Sequence, residues 1–269
     1  MSDPILALPW AEYAVPGFLG SSALHAWGTM GRAAWSREYL ETSYASGATP
    51  AMVAGSALDC LLTEGRGAYA ARYVVAPDGL DGRTKEGKAW NASNASRTVL
   101  GAPVAQEIEA TAHVIAEALG IAQPDGTTLA FAPTYRGELG ALKVQTRPDI
   151  SFLGGSEPVF LDLKYVNPKA FDSFGRKYIY SRYFLQAGLF WGLAGGNPLV
   201  SFLLAESGTT LPRVKAVQIP ERILSAGWDR CREIVDEIEA AIASPQGMTD
   251  SIRFEVLDLE SWEEAQIGA

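Results

Sequence analysis

The hydrophobic pattern changes period along the chain, giving a helical beginning, a strand-rich middle and a mixed end. From Ser21 to Tyr44 apolar residues recur at helical packing intervals, with Trp27, Met30, Ala34 and Trp35 on the packed side. Thr49 followed by Pro50 is a capping residue ahead of a first-turn proline, so a helix is predicted through AMVAGSALDCLLTEG, ending at Gly65. A short strand, RYVVAP, and a Gly-, Lys- and Arg-rich loop from Asp78 to Gly87 follow. Two further helices are predicted from about Lys88 to Thr98 and from Val104 to Leu119, the second stopped by Gly120. TTLAFAP, ALKVQTRPDISFL and PVFLDLKYV are then rich in β-branched and aromatic residues and read as three strands. Gly137, Gly140, Gly154 and Gly155 supply the turns between them. A helix from about Ile179 to Leu193 is broken by GGNP; the strands LVSFLLAE and VKAVQI and an amphipathic helix from Glu221 to Ala243 complete the pattern. The core order of helix, three strands, helix and strand predicts an α/β fold, a central mixed sheet flanked by helices.

A length of 269 residues suits one large α/β domain or a core with an appendage, and the chain is read as a single domain. Its parts are a helical beginning to about 125, a sheet core at about 126–206, and a strand-and-helix end at 207–269. With 48% hydrophobic and 20% charged residues, a sizeable core can be buried. No apolar run reaches the ~18 residues of a membrane-spanning helix, and the N-terminus lacks the basic start and apolar stretch of a signal peptide. Cys60 and Cys231 are too few for a disulfide framework and are expected as packed, reduced thiols in a cytoplasmic protein. The net charge of −9 at first argues against a nucleic-acid partner, but it is a weak guide for an enzyme that gathers carboxylates around cations. Local basic clusters then matter more: Arg83, Lys85 and Lys88, and Lys169, Arg176, Lys177 and Arg182.

Within PVFLDLKYV, alternation puts Val159, Leu161, Leu163 and Tyr165 on one face, and Phe160, Asp162, Lys164 and Val166 on the other. Asp162 and Lys164 thus project side by side from a strand that otherwise reads as buried, where charges need a partner or a metal. On the preceding strand Lys143, Gln145, Arg147 and Asp149 share the polar face, and a hairpin would bring Asp149 to Asp162. Two converging carboxylates repel unless a cation neutralises them, and hard oxygen ligands suit Mg²⁺ or Mn²⁺. A structural Asp–Lys pair on an edge strand is the competing reading. Asp59, on the helical stripe of Met52, Gly55 and Leu62, adds a carboxylate on an otherwise apolar line. Gln186 lies four residues after Arg182 on a later, largely apolar helix.

This order of acids, lysine and glutamine resembles the PD-(D/E)xK nuclease superfamily, in particular the RecE-like exonucleases of the exonuclease VIII type, related to the phage lambda-type exonuclease. The likeness covers roughly residues 20 to 206, through TPAMVAGSALDCLL, GRTKEGKAW, KVQTRPD, VFLDLKY and YFLQAGLFWG. It implies that Asp149 and Asp162, with Asp59 and the Leu163 backbone carbonyl, ligate Mg²⁺, for which Mn²⁺ can substitute. Lys164 would position and help deprotonate the attacking water, and Gln186 would orient Lys164 or a phosphate. Arg83, Lys85, Lys88, Arg147 and Arg182 are the implied DNA contacts. The implied activity is degradation of linear double-stranded DNA from its ends, 5′ to 3′, generating single-stranded DNA for recombination or repair. An annealing partner and a homo-oligomeric ring, trimer or tetramer, are implied as well. Two positions depart from the family: Asp59 stands where His or Glu is usual, and Phe190 where a tyrosine often follows the Gln. These departures and the acidic net charge frame an alternative, a DNA-end-binding or recombination-assembly module with weak or no catalysis.

Rival motifs are weaker. GRTKEGKA imitates a phosphate-binding loop but has Ala89 where a Ser or Thr must hold Mg²⁺. His25 and His113 sit alone in helical segments, and without G-x-S-x-G, Ser-His-Asp hydrolysis has no support. Two distant cysteines argue against an iron–sulfur nuclease of the RecB kind.

Overall fold

The computed structural model describes residues 4–6, 8–41, 49–124, 126–155, 157–175, 183–209 and 211–244. The first part is helical. α1 (Trp10–Tyr13), β1 (Phe18–Leu19), α2 (Ser21–Trp27) and α3 (Arg32–Ser36) lead into a π-helical turn at Arg37–Glu41. The single helix expected from Ser21 is therefore broken. Gly28 caps the C-terminus of α2 and Gly31 the N-terminus of α3, and glycine readily leaves helical geometry. α4 (Pro50–Thr63) starts where predicted, the Thr49 hydroxyl accepting from the Met52 N–H at 3.3 Å.

After α5 (Gly65–Arg72), β2 (Tyr73–Val75), α6 (Lys85–Ser93) and β3 (Thr98–Leu100), the long α7 (Ala102–Ala122) leads into the strands. β3 pairs in parallel with β2, so the residues expected to end a helix at Thr98 form a strand instead. β4 (Thr128–Phe131), β5 (Tyr135–Leu139), β6 (Leu142–Thr146), β7 (Ile150–Leu153) and β8 (Val159–Val166) follow, then α8 (Pro168–Asp172), α9 (Phe184–Leu193), β9 (Leu199–Glu206), β10 (Val214–Gln218) and α10 (Glu221–Ala243).

The main sheet has the order β10-β9-β8-β7-β4, with β8 and β9 parallel and the other neighbours antiparallel. β1, β6 and β5 form a separate small sheet. The stretch ALKVQTRPDISFL is thus two strands in two sheets. Pro148 has no N–H for a ladder bond, and the chain changes sheet at Arg147-Pro148-Asp149. Lys143, Gln145, Arg147 and Asp149 consequently do not share one strand face. β5 lies where only a glycine turn was expected, and Gly137 is inside it.

The alternation expected for β8 holds. Val159, Leu161, Leu163 and Tyr165 pack with α4 and α7 around Leu58, Ile108 and Ile115. Phe160 and Val166 pack on the opposite side with Phe190 of α9 and Phe202 of β9. A third cluster joins α2, α3, α9 and α10 around Trp35, Leu189 and Ile234. α9 and α10 meet at two glycines: a Cβ on Gly188 would lie 2.3 Å from the Gly227 carbonyl carbon. Cys60 and Cys231 are buried free thiols. Among the described residues, no helix is long and apolar enough to cross a membrane.

Candidate active site

β8 is paired with β9 along its whole length, but with β7 only from Val159 to Leu161. Beyond Leu161 the edge toward β7 opens, and the acids gather in that fork. Asp149 immediately precedes β7, and its Oδ2 accepts the Leu163 backbone N–H at 2.6 Å. N–H and C=O of one residue in a strand point to the same side, so the Leu163 carbonyl also faces the open edge.

Asp162 is 3% exposed and is held from two directions. Gln186 Nε2 of α9 donates to its Oδ1 at 2.9 Å, and Lys164 Nζ forms an ion pair with its Oδ2. Gln186 therefore contacts Asp162 directly, where the resemblance implied that it orients Lys164 or a phosphate. The Lys164 ammonium lies 4.8 Å from the Tyr183 ring centroid and 5.6 Å from that of Phe202, boxed between aromatic faces. Asp59 of α4 completes the group; its Oδ1 is buried and has no hydrogen-bond partner among the described residues.

The electrostatics follow from burial and like charge. Burial, then the charges of Asp162 and Asp59, hold the Asp149 carboxyl well above the ordinary carboxylate range, against the pull of Lys164 and the Leu163 N–H. Burial raises Asp162 while Lys164 opposes. Asp59 is pushed up to about 6, chiefly by burial and then by Asp162, with Arg147 opposing. Burial alone would depress Lys164, but the Asp162 and Asp149 carboxylates outweigh it and keep the ammonium charged.

These side chains border a cavity of about 660 Å³ whose lining includes Asp59, Asp149, Gln186, Arg147 and Tyr13. The Arg147 guanidinium carbon sits 5.5 Å from the Tyr13 ring centroid, and its Nη1 is buried with no hydrogen-bond partner among the described residues. Burial, with help from Asp149 and Asp162, pushes the Tyr13 hydroxyl up to about 12, so it remains a neutral donor. A larger cavity of about 770 Å³, between α7 and β8–β10, is lined by no acidic residue and lies on the sheet face away from Asp162.

Asp59, Asp149, Asp162, Lys164, Leu163 and Gln186 are thus brought together, with Arg147 beside them. Arg83, Lys85 and Lys88 are not: they stand exposed on and before α6, outside the lining of this cavity, and Arg83 is paired with Asp81 at 2.9 Å. Arg182 lies outside the described residues. Phe190 is 1% exposed, in the aromatic cluster that also holds Tyr183 and Phe202. Tyr13 and Tyr183 were not foreseen. Tyr13 comes from a short N-terminal helix whose sequence carries no pattern; it is placed by Gln145 Nε2 donating to its carbonyl at 2.7 Å.

The donor set fits a hard divalent cation. All the candidate ligands are oxygens, and Asp59 carries an orphaned buried oxygen beside two further desolvated acids. Among the described residues no three His, Cys, Asp or Glu side chains close into a ready cage. Mg²⁺ does not need one, since water and substrate phosphate commonly complete its shell.

No family model matches the chain, and no curated protein matches it. Among solved structures it is similar to a protein of Eubacterium rectale named as an exonuclease, at 15% identity over 90% of this chain and 86% of that one, with a TM-score of 0.56. An alkaline exonuclease of Laribacter hongkongensis is similar at 11% identity over 70% of this chain and 90% of that one, with a TM-score of 0.35. The first likeness shows a shared architecture: a mixed α/β fold with helices on both sides of the sheet.

Proposed function

We propose that the chain is a Mg²⁺-dependent nuclease that hydrolyses DNA phosphodiester bonds at the fork between β7 and β8. One observation carries the reading: Asp149, Asp162 and Lys164 converge in a buried site, with a further acid, Asp59, above them. Asp149 and Asp162, with Asp59 and the Leu163 carbonyl, would hold Mg²⁺ or Mn²⁺. Bound there, the cation would polarise the phosphate and acidify the attacking water.

The protein's own groups supply the rest. Lys164, kept charged by its carboxylate neighbours, orients the water and stabilises the charge that develops on the phosphoryl oxygens. The resemblance adds a part in deprotonating that water. Gln186 fixes the Asp162 rotamer, leaving Oδ2 toward Lys164. Arg147 offers an unpaired, desolvated N–H to a phosphate oxygen.

The resemblance adds the finer reading: an exodeoxyribonuclease of the RecE-like type that trims linear duplexes 5′ to 3′, works with an annealing protein and assembles as a ring. The non-catalytic alternative draws on Asp59, Phe190 and the acidic net charge, and a cleavage assay separates it from the nuclease reading. End-labelled linear and circular duplexes in Mg²⁺ test the proposal. Loss of the linear form alone is expected, with label release giving the direction, whereas survival of both forms in Mg²⁺ and in Mn²⁺ would contradict it.

A further inference from the structure

The cavity holding Asp59 and Asp149 has a second wall of different character. Phe131, the last residue of β4, lines it and is 36% exposed. Its ring joins none of the three apolar clusters built from the described residues, although large aromatic rings usually contribute to a core. Tyr73, at the start of β2, lines the same cavity.

The backbone holds Phe131 at a set place relative to the acids. In register it stands opposite Ile150, the neighbour of Asp149. The next residue, Ala132, has φ +48°, the only non-glycine positive φ among the described residues, a conformation that its Cβ disfavours. Its N–H donates to the Asp149 carbonyl at 2.8 Å. Thr134 is then clipped to Ile5 by two backbone bonds of 2.8 and 3.0 Å. A strained corner is thus tied on one side to the residue carrying a site carboxylate and on the other to the N-terminal segment, and it presents an aromatic ring to solvent. Such strain persists only where the surroundings impose it, and it gathers at ligand sites.

We propose that Phe131 is the base-stacking face of a nucleotide subsite. The base of the nucleotide next to the scissile phosphate leaves the duplex stack and lies on the Phe131 ring, while Arg147 and the acids engage its phosphate. The inference rests on the nuclease reading. A volume of about 660 Å³ falls within the ~300–1,000 Å³ of small-ligand sites. A phenyl ring makes no hydrogen bond, so every base is accepted. Unstacking opposes the process, so an end with a mismatched last pair is a better substrate than a fully paired end.

The test uses the full chain, Phe131→Ala and Phe131→Tyr. The substrates are labelled linear duplexes whose terminal nucleotide is unpaired in both and either carries a base or is abasic, so that neither end spends energy on unpairing. Affinity is measured in Ca²⁺ and kcat/KM in Mg²⁺. The unsubstituted protein should favour the base-bearing end by roughly 5- to 150-fold, the range of a single base–aromatic stack. In Phe131→Ala the base-bearing end should fall to the level of the abasic one, and Phe131→Tyr should restore the preference. Matching thermal midpoints show that the variants fold. Cleavage without any base preference, or with a preference that survives Phe131→Ala, overturns the stacking role alone. If no DNA is bound or cut in Mg²⁺, Mn²⁺ or Ca²⁺, the nuclease reading falls and the stacking role falls with it.

Discussion

At the scale of single residues, the site is a cluster of charges that the fold stabilises only in part. Lys164 is the internal counter-charge to Asp162, and both are largely out of water, at 16% and 3% side-chain exposure. Removing one member of such a pair leaves the other buried and uncompensated. Lys164→Met should therefore lower stability by about 3–5 kcal/mol. The Asp162→Asn, Lys164→Met double variant should lose less than the sum of the singles, as read by denaturant titration. Additive losses would mean that the two groups do not depend on each other. Asp59 gives a pH signature. Its carboxyl is raised from 3.8 to about 6, so the folded chain holds a proton that the unfolded chain releases between those values. Stability from this group is therefore full below about pH 4 and is lost as pH rises to about 6, by an amount on the order of 2–3 kcal/mol at most. In EDTA, Asp59→Asn should match the unsubstituted protein near pH 4 and melt above it near pH 7, with Mg²⁺ narrowing the gap. A difference independent of pH would contradict this assignment.

At the scale of elements, the site exists because β7 stops short of the end of β8 and α9 lies across the fork. α9 is held close to α10 by Gly188, whose added Cβ would lie 2.3 Å from the Gly227 carbonyl carbon and 2.4 Å from the Trp228 nitrogen. Gly188→Ala should push the helices apart, cost about 1–3 kcal/mol, and reduce activity by displacing Gln186, two residues away. Thermal melts and a cleavage assay check both, and a fully active, fully stable variant would refute the packing argument. The same elements show what the sequence discloses. The faces of β8 and the start of α4 were legible because alternation and capping are local properties. Asp162 and Lys164 could be paired from the strand period alone. The change of sheet at Pro148 was not legible: a β-rich run reads as one strand until the pairing is known. Tyr13 and Phe131 were missed for a related reason, since only long-range contacts, through Gln145, Ile5 and Asp149, bring them to the acids.

At the scale of the whole molecule, the proposed function pairs an acidic protein with an acidic substrate. The net charge of −9 offers no general attraction for DNA, and the acids at the fork would repel a phosphate approaching Arg147 unless a cation is present. Affinity for a labelled linear duplex should therefore rise in Ca²⁺ over EDTA by roughly tenfold or more, about 1.4 kcal/mol, by fluorescence anisotropy. Equal binding in both would place the main contacts elsewhere, with exposed Lys85 and Lys88 of α6 the first residues to test. In the proposed function, phosphodiester bonds break at the fork between β7 and β8. The most direct measurement compares the unsubstituted protein with Asp162→Asn, shown folded by its melt, on end-labelled linear duplex in Mg²⁺ and in EDTA. Label release is expected from the unsubstituted protein in Mg²⁺ alone, and none from Asp162→Asn. An Asp162→Asn protein that degrades DNA at the full rate would contradict the proposed function.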